Sequence, residues 1–126
     1  FWKKSPTVDL VKSEIQKGNS PSEANRGNHD VVSIAINNNA PLETILYLLE
    51  QEGNSVDKTT HDGRLYIHWA ASRGNVELVK ILKELFLFHL QHQTDKQIPK
   101  FMNCCLRQVT IQSKNFKTEL IYYCYQ

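Results

Sequence analysis

Histidine, cysteine and carboxylate side chains are the groups in this sequence with chemistry to offer, and their spacing decides what they do. His89 and His92 stand three residues apart, which places both on one face of a helix, and Cys104 and Cys105 follow downstream. All four are ligand types that zinc accepts. Structural zinc sites present separated cysteine pairs, however, and adjacent cysteines rarely aim both sulfurs at one metal, so no metal and no cofactor are expected. Asp9, Glu43 and Glu77 recur at an interval of 34 residues. A carboxylate that repeats with its surroundings belongs to the solvent face of a scaffold rather than to a catalytic pair. The sequence contains no nucleophile elbow, phosphate-binding loop, dinucleotide fingerprint or zinc-protease helix. Nothing supports catalysis, and the protein is not expected to be an enzyme.

Residues that bind rather than react are better represented. Tyr66, Trp69 and Arg73 sit on the helix around Trp69 or at its entry, and tryptophan and tyrosine often dominate binding energy at interfaces. Trp69 has a second reading, as packing between neighbouring units. His61 and Arg64 flank Asp62-Gly63, a pair that marks a tight turn, because glycine tolerates positive φ and aspartate hydrogen-bonds nearby backbone.

The elements that position these residues are repeated ones. Val8-Asp9-Leu10-Val11, Leu42-Glu43-Thr44-Ile45 and Val76-Glu77-Leu78-Val79 share one pattern, apolar then acidic, at a step of 34 residues. Gly18-Asn19 and Gly53-Asn54 lie 35 apart, as do Ala35 and Ala70, which accommodates one inserted loop residue. Each unit reads as two short helices. Val76, Val79, Ile81 and Leu82 fall near one helical face with Glu77, Lys80 and Lys83 away from it, and Leu42, Ile45, Leu46 and Leu49 do the same one unit earlier. Asp30 is suited to cap the helix through Ala35, and Gly74-Asn75 separates the helix around Trp69 from the one starting at Val76.

Residues 62–82, with His68 and Ala70 in the first helix and Gly74-Asn75 at the inter-helix turn, resemble an ankyrin repeat. The resemblance covers about residues 6 to 85: one clear repeat, one divergent repeat with Asn28 to Ala35 in the same register, and an N-terminal half-repeat. It implies an all-α, helix-turn-helix repeat stack without a catalytic centre, whose concave face binds another protein. On that face the candidate partner-binding residues are His61, Arg64, Tyr66, Trp69 and Arg73. Two departures stand out. Leu65 and Tyr66 occupy the family's Thr and Pro positions, so the hydrogen bond from the Thr hydroxyl to the His ring has no donor here. In the unit before, Asp30 takes the Thr position and Ser33 the His position.

Bulk properties agree with one domain. The chain has 126 residues, 40% hydrophobic and 22% charged, with a net charge of +2. No apolar run approaches a membrane span, and so small a charge supports no nucleic-acid partner. Three cysteines, two of them adjacent, do not form a disulfide framework and favour a reducing compartment, the cytoplasm. Because the sequence starts at Phe1 rather than Met, any N-terminal targeting segment is out of view.

Composition changes near Leu85. The five glycines all precede residue 75 and the three cysteines all follow residue 103. The array is therefore placed at 1–85 and a weakly structured tail at 86–126, with a hairpin possible between 106–111 and 116–123. Such arrays need polar caps, so either the tail folds back as one or the array continues. The apolar stretch Leu85-Phe86-Leu87-Phe88-His89-Leu90 offers an alternative function, self-association through the end of the stack.

Overall fold

The computed structural model describes residues 1–91. The possible hairpin at 106–123, and His92, Cys104 and Cys105, lie outside the described residues. After a 3-10 turn at Trp2–Lys4 come five α-helices: α1 (Val8–Gln16), α2 (Val31–Asn37), α3 (Leu42–Leu49), α4 (Tyr66–Ser72) and α5 (Val76–Gln91), with a second 3-10 turn at His61–Gly63 between α3 and α4. The described part is all-α, as expected, with only an isolated antiparallel bridge between Ala24 and Asp30.

The 34-residue step is visible directly in the helices. Val8, Leu42 and Val76 are the first residues of α1, α3 and α5, while the first residues of α2 and α4, Val31 and Tyr66, lie 35 apart. α2 packs on α3 and α4, α4 packs on α5, and α1 packs on α3. Two rows result, inner helices α2 and α4 and outer helices α1, α3 and α5. Each row buries what the other cannot bury alone.

Capping explains where the helices start. The Thr7 hydroxyl accepts from Leu10 N at 3.4 Å, Asp30 Oδ1 from Ser33 N at 2.9 Å, and Asn75 Oδ1 from Leu78 N at 3.1 Å. Pro41 precedes α3, and its carbonyl accepts from both Thr44 and Ile45. The inter-helix turns are equivalent although one uses Asn39 and the other Gly74. Both residues have positive φ, and the next amide closes on the carbonyl of Ala35 or Ala70 at 3.0 Å.

The core runs between the rows. Ala35 and Ala70 are fully buried at the same register, where a small side chain lets α2 and α4 approach. In the outer helices the buried line is Val11, Ile45 and Val79, joined by Leu48, Leu78, Leu82 and Phe86. This line sits one residue away from the face read from the sequence. Val76 is 40% exposed, Leu42, Leu46 and Leu49 are only half-buried, and Thr44 is buried with its hydroxyl donating to Pro6 O at 2.8 Å. Periodicity alone could not see that the segment ahead of α1 covers this position. Asp9, Glu43 and Glu77 are exposed, as scaffold carboxylates should be.

α5 has 16 residues where α1 has nine and α3 has eight. It runs without interruption through Leu85, where the composition changes, and Phe86 is buried in the same core as Leu82. His89 Nε2 lies 3.1 Å from Asp57 Oδ2, so the far end of this helix is tied to the loop after α3.

Candidate partner-binding face

Two finger-like loops project ahead of the inner helices, and their backbones make them rigid. In the first, Asn25 and His29 pair through Asn25 N and His29 O at 2.9 Å, while Asn25 Oδ1 accepts from Gly27 N and His29 N. Asn28 supplies the positive φ that closes it. In the second, Thr60 N donates to Arg64 O at 2.8 Å and Arg64 N to His61 O at 3.2 Å. Asp62 and Gly63 both have positive φ there, the geometry for which Asp-Gly is favoured.

The fingers are joined edge to edge. His61 Nδ1 lies 2.7 Å from the Gly27 carbonyl, so that nitrogen carries the proton and donates it. The His61 ring stacks on His29 at 4.4 Å between centroids, and His29 leans on Trp69 at 5.3 Å. Trp69 Nε1 donates to the Thr60 hydroxyl at 2.8 Å, that hydroxyl donates to Arg64 O at 2.6 Å, and the Arg64 guanidinium lies 4.8 Å above the Trp69 ring. A cation over an indole face is attracted by its quadrupole. Thus one tryptophan of α4 supports both fingers.

Beneath the fingers a second set of contacts ties unit to unit. Asp30 is completely buried at the start of α2; it takes the Tyr66 hydroxyl of α4 and lies 2.8 Å from Lys58 Nζ. Lys58 also donates to Ser22 O at 2.9 Å. Burial by itself raises the Asp30 carboxyl, but hydrogen bonds from Lys58, Tyr66 and Ser33 outweigh it and hold the group below the usual carboxylate range. The Tyr66 phenol moves the opposite way, raised by burial and by the adjacent Asp30 carboxylate. It stays a donor at any physiological pH.

Of the five residues expected to meet a partner, the structure brings His61, Arg64 and Trp69 together and separates the other two from them. Arg73 is exposed at the far end of α4, its Nε 3.4 Å from Asn37 Oδ1 of α2. Tyr66 is fully buried and presents no surface; Trp69 retains 7% exposure. Both act from below, by holding the fingers and the Asp30 pair in place. His29, Asp30, Lys58 and Thr60 complete the arrangement and were not singled out from the sequence as parts of this face. A helix cap was legible at Asp30, but nothing in the periodicity marks a lysine 28 residues away as its counter-ion.

The His68 position answers the missing hydroxyl. Its Nδ1 accepts from Leu65 N at 2.8 Å, so a backbone donor satisfies the ring nitrogen. Among the described residues no cluster of three metal-ligating side chains occurs, and no helix is long and apolar enough to cross a membrane. An apolar cavity of about 270 Å³ lies away from the finger tips, between α1, Val31, Leu48 and Pro21, and is bordered by Phe1 and Trp2. Glu14 at its edge is taken by Lys17 and Asn19.

Among known proteins, residues 31–82 match the family model described as ankyrin repeats (many copies). No curated protein and no solved structure gives a match. The matched segment runs from the first residue of α2 to Leu82 in α5 and takes in the second finger. Residues 31–82, with helices α2 to α4 and the start of α5, are therefore similar to ankyrin repeats, and the all-helical stack is consistent with that family.

Proposed function

We propose that the chain is a binding module and that the face formed by the two fingers and the inner helices receives another protein. Ankyrin repeats are in general protein-protein interaction modules. The observation that carries the reading here is the cross-finger lock, His61 to Gly27 O with His29 stacked between His61 and Trp69. Loops held rigid before a partner arrives lose little conformational entropy on binding, which is what a preorganised recognition surface requires. His61, Arg64 and Arg73 form the accessible part of the proposed surface. Tyr66 and Trp69 position it, and no catalytic step is assigned to any of them.

The test needs no known partner. Short random peptides displayed on phage are selected on the full chain, and hydrogen exchange then maps the amides they protect. Protection at the fingers and at the exposed edge of α2 and α4 is expected. Protection confined to α1, α3 and α5 would refute the reading.

A second reading, self-association through the end of the stack, draws on Leu85 at 39% and Phe88 at 63% exposure in α5. Sizing across a range of concentrations separates the two. A monomer at every concentration removes self-association and leaves the finger face.

A further inference from the structure

Arginine and lysine are segregated in this fold. All three arginines of the described residues, Arg26, Arg64 and Arg73, lie on the fingers or at the end of an inner helix, whereas Lys12, Lys80 and Lys83 lie on outer helices. Lys58 is the one lysine among the described residues between α3 and α4, and it is engaged with Asp30. The acids follow the reverse distribution. Asp9, Glu43, Glu77 and Glu84 are exposed on outer helices, Asp30 at the start of α2 is taken up by Lys58 and Tyr66, and Asp57 in the loop after α3 is taken up by Ser55 and His89. The exposed acids near the fingers are Glu23 and Asp62, and Asp62 is 3.3 Å from His61 Nε2.

From this distribution we infer that the partner segment is acidic, an Asp- or Glu-rich peptide whose carboxylates are received by Arg26, Arg64 and Arg73. The inference rests on the finger-face reading above and specifies its ligand. Residue type matters as much as charge. A guanidinium offers a planar fork of N–H donors that matches a carboxylate with two parallel hydrogen bonds, while an ammonium acts as a point charge. The Arg64 guanidinium lies 4.8 Å over the Trp69 ring with its Nε buried, and Arg73 Nε lies 3.4 Å from Asn37 Oδ1, so both side chains are steadied beforehand and the terminal nitrogens are what they offer a carboxylate. A nucleic acid fits less well. Asp62 and Glu23 would oppose a continuous line of phosphates, and three separated arginines make a small footprint for a polyanion.

The experiment reads the composition of the phage-selected peptides and their affinity for variants of the full chain. Selected sequences enriched in Asp and Glu, bound roughly tenfold more weakly by the Arg26→Gln/Arg73→Gln double variant, are expected. A Lys12→Gln/Lys80→Gln control should leave affinity within about twofold, and added salt should weaken binding. Neutral or basic peptides that still protect the fingers would overturn the acidic-partner inference while leaving the finger face standing. Protection elsewhere would overturn both. A single-stranded oligonucleotide that binds more tightly than every acidic peptide and is lost in the same arginine variant would also overturn it, in favour of a nucleic-acid partner. Both arginines are exposed, and far-UV circular dichroism of the variants verifies that the helices are intact.

Discussion

The starts of the two inner helices solve one problem in two ways. At α4 the solution is local: the His68 ring accepts from Leu65 N three residues back, and the turn closes on itself. At α2 the solution is shared between units. Asp30 caps its own helix through Ser33 N, then takes a hydroxyl from Tyr66 in the next unit and an ammonium from Lys58 in the connecting loop. The two departures from the ankyrin pattern, Asp30 for Thr and Tyr66 for Pro, therefore meet each other. A residue out of place within one repeat is explained by the repeat beside it.

The difference predicts a ranking of damage. Asp30→Ala removes a cap and strands a buried hydroxyl and a partly buried ammonium at once, so it should cost about 4 kcal/mol, read as a loss of urea midpoint. His68→Ala leaves one backbone donor unsatisfied and opens a hole of ring size. Its cost should be about 2 kcal/mol, clearly below that of Asp30→Ala. Equal losses at the two sites would erase the distinction between a shared and a local solution.

pH separates the two starts as well. Asp30 titrates below its unfolded value, so its contribution is fully present above the ordinary carboxylate range and is lost as pH falls through the lower folded value. Tyr66 titrates above its unfolded value. Its contribution is present at neutral pH and is lost as pH rises past the ordinary tyrosine range of about 10. Thermal unfolding followed from acid to alkaline pH should show both losses, and Asp30→Asn should flatten the acid limb.

The smallest predicted effects lie at two equivalent glycines. Gly18 and Gly53 both have positive φ, but a Cβ at Gly18 meets open space and one at Gly53 comes within 2.9 Å of Ser22 Oγ. Each alanine variant should cost about 1 kcal/mol from the backbone, with Gly53→Ala the more costly of the two.

What was legible in the sequence was what repeats. The 34-residue step located the first residue of every outer helix, the Gly-Asn turns closed where expected, and the exposed carboxylates fell on the outer row. What escaped was what couples one unit to the next. Tyr66 and Asp30 are 36 residues apart, His61 and Gly27 are 34 apart, and neither pair is marked by any pattern within its own unit. The same gap misplaced Tyr66. Tyrosine is a residue type that dominates binding energy, and only the buried acceptor across the interface shows that the work of Tyr66 is internal.

The compensation between positions 30 and 66 is tested most directly by a double-mutant cycle on the full chain, with Asp30→Ser, Tyr66→Phe and the combined variant compared in urea unfolding. Serine keeps the cap with its single oxygen and leaves nothing in place of Oδ2, phenylalanine keeps the ring, and the loss of the Lys58 pair is common to both backgrounds, so the cycle isolates the contact between the two side chains. A coupling of about 1 to 2 kcal/mol is the expected result. Strictly additive losses would show that the two residues act independently and would contradict the account.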